Sequence, residues 1–362
     1  VKVGTSTLTH ENGKLNLNRM DKICRALSEL QNEGKEIVLV TSGAIGVGVG
    51  KLSMPCRPTS TEEKQAVAAI GQCELMFMYD KFFGEYNQIV AQILLTKDVT
   101  DHSRKNVQNT FNELFRLGAI PIVNENDSVA TAEVKVGDND KLSSDVALFL
   151  DADLLLLFTD EDGLFDDNPK INPKAKLIPL VSKIDESILS LAGGPNSTGS
   201  AVSTGGMYSK LKAIKAVVES GCHAFLANGR RVLPHSVFLD ESTVGTFFMA
   251  SHKRLSSRKR WLTFVSSPKG SLVVDAGGIQ ALKNTHSSLL PVGILSLVHQ
   301  FHAVALGNVL DDTGNLVARG ITKYDSETLR LLLRKKTYEI HALLGDKAPE
   351  EVIHKNDLVL LA

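Results

Sequence analysis

Five short polar motifs in this sequence hold residue types able to handle phosphate or a charged small molecule. The first is Val1-Lys2-Val3-Gly4-Thr5-Ser6. A lysine there could aim its ammonium at phosphate from a strand end, and it reads equally as a solvated edge residue. The second, Thr41-Ser42-Gly43-Ala44-Ile45, runs from an apolar stretch into a helix start. Either Ser42 is an N-cap, or the amides of Gly43 and Ala44 bind an anion at the helix N-terminus. The third pairs Asn124-Glu125-Asn126-Asp127 with Lys135-Val136-Gly137-Asp138-Asn139-Asp140. Asx-rich turns would account for either cluster alone, but less easily for both. Carboxylates that bind an ammonium, and amides that bind a carboxylate, would suit a zwitterionic amino acid. The fourth, Thr159-Asp160, ends an apolar run before Gly163 and is a turn or a nucleotide contact. The fifth, Thr204-Gly205-Gly206-Met207-Tyr208-Ser209-Lys210, leads into an amphipathic helix. Its glycine pair lets backbone approach a polyphosphate, the helix N-terminus adds amide donors and a favourable dipole, and Lys210 would bear on a transferred phosphoryl group. By contrast, Gly46, Gly48 and Gly50-Lys51 only imitate a phosphate loop. The spacing is wrong, and Leu52 stands where a hydroxyl should meet magnesium.

Positioning these motifs falls to an alternation of strands and helices. Residues 1–8, 36–41, 89–95, 119–123, 153–159 and 223–227 read as strands, β-branched or Leu-rich and bounded by Gly, Asn or Asp. Between them, Ile23, Ala26, Leu27 and Leu30 share one face of a helix over 19–32, and Leu211, Ile214, Val217 and Val218 share one over 206–221. Such alternation implies βαβ units, a mainly parallel sheet and helices on both faces, a three-layer αβα sandwich. Ligands on such sheets sit at the carboxyl ends of the strands, where these motifs fall. Near residue 251 the pattern changes. Residues 251–260 are polar and basic and read as a linker between a first domain at 1–250 and a small, mostly β domain at 261–362. In the latter, short strands at 262–265, 270–275, 302–310 and 317–321 precede a helix near 326–334.

Composition sets outer bounds. The 362 residues exceed what one hydrophobic core usually serves. A net charge of −1 gives no global case for nucleic acid or an anionic membrane. The most apolar stretch, 146–158, is interrupted by Asp151 and Asp153, so no segment is expected to span a bilayer. Four scattered cysteines, Cys24, Cys56, Cys73 and Cys222, form no metal-binding or disulfide pattern. They read as small core residues in a reducing compartment, so a cytoplasmic location is expected. The sequence opens inside an apparent strand and without Met, which points to a few residues preceding Val1.

Together, VKVGTS, TSGAI, NENDSVATAEVKVGDND and TGGMYSK resemble the amino acid kinase family, and within it the members that phosphorylate glutamate, over essentially the whole chain. Aspartokinase, acetylglutamate kinase and uridylate kinase share the fold but not the third stretch. The tail is similar to a PUA domain, an RNA-binding module, at Arg258-Lys259-Arg260-Trp261, Ser287-Ser288-Leu289-Leu290-Pro291 and Tyr324-Asp325-Ser326. The resemblance implies Lys2 and Lys210 as phosphoryl-stabilising lysines, organised by Asp140. It implies glutamate contacts from Ser42, Gly43, Asn124, Asp127, Asp138 and Asn139. It further implies ATP contacts from Lys2, Thr159, Asp160 and the 204–210 loop, with magnesium held mainly by the ATP phosphates and no certain protein ligand. Tyr208-Ser209 departs from the small polar pair expected there. The activity implied is phosphorylation of the L-glutamate γ-carboxylate at the start of proline biosynthesis, inhibited by L-proline. A homo-oligomer and hand-over of the labile product to a reductase are implied as well. Aspartate or N-acetylglutamate is the rival substrate, although acidic residues at 127 and 138 favour a free ammonium. A protein acting on RNA through its tail is the rival of another class, but its basic residues are offset by acidic ones.

Overall fold

The computed structural model describes residues 1–10, 14–96, 101–129, 138–192, 206–240, 242–251, 262–263, 268–285 and 287–361. The chain divides into two compact units, Val1–Arg254 and Leu255–Ala362.

In the first unit the strands are β1 (Leu39–Val40), β2 (Ile89–Leu95), β3 (Ala119–Glu125), β4 (Leu154–Thr159), β5 (Leu180–Val181), β6 (His223–Asn228) and β7 (Thr246–Phe248). They form two blocks, β1-β3-β2 and β4-β6-β7-β5. Lys2 joins them, bridging Val40 on one side and Leu157 on the other, both in parallel. Its amide donates to the Leu156 carbonyl at 2.7 Å and its carbonyl accepts from Phe158 at 3.0 Å, while Val3 donates to Val40 at 2.9 Å. The result is one continuous sheet with residues 1–3 at its centre, parallel except where β7 runs antiparallel to β6.

Successive strand residues face opposite sides, and the two cores follow that rule. Leu39, Ile120 and Ile122 pack with Ile23, Leu27, Leu75 and Phe83, from α2 (Leu17–Asn32) and α4 (Thr61–Gly84). Val40 and Val123 pack with Phe111 and Val146, from α5 (Asp101–Arg116) and α6 (Asp138–Leu150). After the short α7 (Glu186–Leu191), the last helix to touch the site, α8 (Gly206–Glu219), packs against α6 and buries Leu211, Ile214, Val217 and Val218.

Three expectations need correction. Residues 5–8 do not extend the first strand but form a helical turn, α1 (Thr5–Leu8), closed by the Thr9 hydroxyl on the Thr5 carbonyl at 2.9 Å. The strand at 36–41 shrinks to β1, because only Leu39 and Val40 find ladder partners. Cys56 and Cys73 are exposed; only Cys24 and Cys222 are core residues. In the second unit, strands β8 (Gly270–Val274), β9 (Ile294–Val298), β10 (Leu306–Leu310), β11 (Leu316–Ile321) and β12 (Leu358–Leu360) form a sheet in the order β12-β11-β10-β8-β9. Helices at Ala276–Thr285, Ser326–Leu332 and Thr337–Leu344 accompany it, the first and last of them not anticipated. Of the strand expected at 262–265, residues 262–263 are helical instead and 264–265 lie outside the described residues.

Of the glycines that imitate a phosphate loop, Gly48 has a packing role. These glycines lie on α3 (Ala44–Leu52), which crosses α4 so closely that a Cβ on Gly48 would come within 2.1 Å of the Val67 carbonyl oxygen. A Cβ on Gly71 would come within 1.8 Å of the Ala44 carbonyl oxygen. Backbone cannot yield as a flexible side chain can, so Gly71→Ala should destabilise the first unit by about 3 kcal/mol. Gly84, at the end of the same helix, has nothing within 4 Å of its missing Cβ. Gly84→Ala should therefore be neutral or stabilising by about 0.5–1 kcal/mol. Thermal denaturation of both variants checks this, and equal melting points would refute the steric account.

Candidate active site

The carboxyl ends of the central strands gather most of the motifs. Lys2 rises from the sheet centre, Asp140 lies in the first turn of α6, and Lys210 is in the first turns of α8. Lys2 Nζ is 2.6 Å from Asp140 Oδ1, and Lys210 Nζ is 3.0 Å from Oδ2. The Asp140 side chain is 1% exposed, against 8% for Lys2 and 14% for Lys210. Among the described residues no hydrogen bond beyond these ion pairs reaches either carboxylate oxygen. Burial lowers the Lys2 pKa from its usual value, opposed by the Asp140 carboxylate and assisted by the like charge of Lys210. A Cβ on Gly4 would stand 3.3 Å from Lys2 Nζ, so the glycine leaves the ammonium room at the end of its strand.

One residue before Asp140, Asn139 reaches the neighbouring strand ends. Its Nδ2 lies 2.6 Å from the Thr41 carbonyl, 2.8 Å from Ser42 Oγ and 2.9 Å from Asn124 Oδ1. The Thr41 carbonyl can only accept, which fixes the orientation of the chain of amides. Asn124 Oδ1 also accepts from the Glu125 amide, so its Nδ2 donates to Gln72 Oε1 at 2.7 Å. Gln72 Nε2 is then a buried donor with no partner among the described residues. Ser42 is not the N-cap of α3. Gly43 holds that place with a φ of 101°, a left-handed conformation that favours glycine.

On the other side of Lys2, Thr159 is buried at the end of β4. Its hydroxyl donates to Asp160 Oδ1 at 3.0 Å. Burial raises the Asp160 pKa, but the Thr159 hydroxyl, backbone hydrogen bonding, Lys170 and Lys210 outweigh it and leave the carboxyl below its usual range. The turn after β6 closes this side, with Asn228 Nδ2 donating to the Asp160 carbonyl at 3.1 Å and to Asp162 Oδ1 at 2.9 Å.

The structure thus brings together Lys2, Asp140 and Lys210, and separately Ser42, Asn124 and Asn139. Asp127 is half-buried in a turn just beyond β3. Asp138 opens α6, but its side chain is not described, and Thr204 and Gly205 lie outside the described residues. Gly206 opens α8, followed by half-buried Met207, Tyr208 and Ser209. The Tyr208 ring lies 4.6 Å from Lys212 Nζ, a cation–π contact on the departing pair. Gln72 and Asn228 were not anticipated. Gln72 lies inside a helix, far from any strand-end motif, and only its contact with Asn124 reveals it. Among the described residues, no three His, Cys, Asp or Glu side chains converge as a metal site, and no helix is long and apolar enough to cross a membrane.

Residues 1–228 match the amino acid kinase family and residues 270–344 the PUA domain. The glutamate 5-kinase of Caldanaerobacter subterraneus is 44% identical, covering all of this chain and 97% of its own. That of Moorella thermoacetica is 43% identical, over all of this chain and 95% of its own. That of Shewanella oneidensis is 41% identical, over all of this chain and 97% of its own. Among solved structures, an isopentenyl phosphate kinase substrate complex aligns with a TM-score of 0.46 at 18% identity, covering 68% of this chain and 97% of its own. With a family match across most of its length and full-length relatives above 40% identity, the chain belongs to the amino acid kinase family and carries a C-terminal PUA domain.

Proposed function

We propose that the chain transfers the γ-phosphoryl group of ATP to the γ-carboxylate of L-glutamate, giving L-glutamyl 5-phosphate. The observation that carries this reading is one buried carboxylate holding two lysines, with an amide network beginning at the adjacent residue. Full-length likeness to glutamate 5-kinases supports glutamate as the acceptor. On this reading residues 1–250 form the catalytic domain, 251–260 a linker and 261–362 the PUA-like domain. The product would feed proline biosynthesis through a reductase, and L-proline would compete in the glutamate pocket.

The chemistry asks little in the way of proton transfer. The acceptor carboxylate is already ionised near neutral pH, unlike the hydroxyl acceptor of many kinases. The barrier is electrostatic, since an anion must approach a polyanionic phosphate. Lys2 and Lys210 supply positive charge at that point and Asp140 fixes their positions. At an effective dielectric of about 20, unit charges about 4 Å apart interact by roughly 4 kcal/mol. Ser42, the Gly43 amide, Asn124 and Asn139 would hold the amino acid's carboxylate, with Gln72 Nε2 as a further donor. Asp127 and Asp138 would hold its ammonium. Thr159, Asp160 and the 204–210 loop would hold the nucleotide. Both Asp140 oxygens are engaged by lysines, so magnesium would arrive on the ATP phosphates and neutralise part of their charge.

Lys210→Ala should fold like the parent and lose on the order of 10²-fold or more in kcat. Activity within threefold of the parent would remove Lys210 from the mechanism. The pH dependence follows from the Lys2 shift. The reaction needs its ammonium charged, and burial lowers its pKa below the ordinary 10.5. Activity is then lost as pH rises through that lowered value. In Asp140→Asn the carboxylate that raises the pKa is gone, so the basic limb of kcat/KM for ATP, taken at saturating glutamate, should move to lower pH. An unmoved limb would uncouple Lys2 from Asp140. Acceptor identity is read by trapping acyl phosphate as hydroxamate, with glutamate, aspartate and N-acetylglutamate compared with and without proline. Product from glutamate alone, suppressed by proline, is expected; product from another acid would overturn the substrate and keep the phosphoryl-transfer reading.

A further inference from the structure

Thr9 and His10 after α1, the start of α2 and the turn after β6 border a cavity of about 670 Å³, lined by Thr9, His10, Asn16, Arg19, Lys22 and Arg230 among others. It shares no lining residue with the lysine cluster. Three of its lining residues are cations, and among the described residues that line it none carries a carboxylate. Arg19 is the unusual member, because an arginine only 8% exposed ordinarily meets a carboxylate. Here its Nη2 donates to the Val232 carbonyl, and its Nε has no partner among the described residues.

Two features add to that charge. Asn16 caps α2, a helix of 16 residues, by accepting from the Arg19 amide at 3.0 Å, so the helix presents its positive end here. Lys22 stands three residues after Arg19, on the same helical side, and its side chain is exposed. Arg230 enters from the turn after β6, where its Nε donates to the Ser6 carbonyl at 3.1 Å. Two guanidiniums and an ammonium around a helix N-terminus match phosphate better than a single carboxylate. A volume of about 670 Å³ exceeds what a bare ion fills and lies in the range of small-molecule sites. We propose that this cavity binds a phosphate-bearing small molecule at a site separate from the one that performs the transfer.

The test uses the full chain, with its transfer site saturated by a non-hydrolysable ATP analogue and inorganic pyrophosphate as the calorimetric probe. Pyrophosphate should still bind, and Lys22→Glu combined with Arg230→Glu should weaken it about tenfold or more. The KM for ATP should stay within about twofold of the parent. Lys22→Glu alone, at an exposed position that leaves the Ser6 contact intact, should weaken the probe in the same direction. No binding once the analogue is saturating, or equal affinity in the charge-reversed proteins, would overturn the second site. Either result leaves the transfer reading untouched, because the analogue already fills that site.

Discussion

The first unit is organised around a carboxylate that cannot be left alone. Asp140 is buried, and lysines are its only partners among the described residues. Isolating such a charge from water costs several kcal/mol, and only with both lysines gone would that cost stand uncompensated. The arrangement is also unbalanced: one carboxylate against two ammoniums leaves a surplus positive charge. Asp160 is close enough to bear on both lysines, but it is partly solvated and outside the grip. A polyanion would complete the balance, so on the proposed reading the same contacts serve both folding and phosphoryl transfer.

That grip dictates much of the surrounding architecture. Lys2 can reach Asp140 only if residues 1–3 occupy the middle of the sheet, and there they join its two blocks. The chain must then leave the sheet at once, because the space above the strand end belongs to the ammonium. Gly4 permits the exit and α1 follows directly. On the other side, the turn at Gly229 comes so near α1 that a Cβ would lie 2.5 Å from the Thr7 hydroxyl oxygen. Small residues at these points let three segments converge where charge is needed.

Much of this was legible in the sequence, and the failures have physical causes. Apolar runs bounded by Asn, Asp or Gly marked β2, β3, β4 and β6, and the periodicity of α2 and α8 marked their buried faces. The 24-residue α4 gave no such signal, because apolar residues surround it, with Leu75 and Phe83 buried while Ile70 and Phe77 are exposed. Thr5–Leu8 reads as strand from its β-branched threonines, yet position after Gly4 overrides that local preference. Within the site, motifs placed after strands were identifiable from topology alone. Gln72 was not, since a lone glutamine within a helix is ordinarily a surface residue, and its role depends on a fold that brings it to Asn124.

Asn139 and Asp140 are consecutive on α6, and consecutive helical residues project about 100° apart. One therefore faces the ends of β1 and β3, where it ties Thr41, Ser42 and Asn124 together. The other faces the sheet centre and α8, where it ties the two lysines. The amide side, suited to a carboxylate, and the lysine side, suited to a phosphate, are thus held at a spacing set by one peptide unit. No flexible loop intervenes between them. Displacing the start of α6 by an ångström would shift both halves together and keep their mutual distance. A reaction between two anions needs its partners aligned more than it needs a base, and on the proposed reading a rigid link between the amide and lysine sides meets that need.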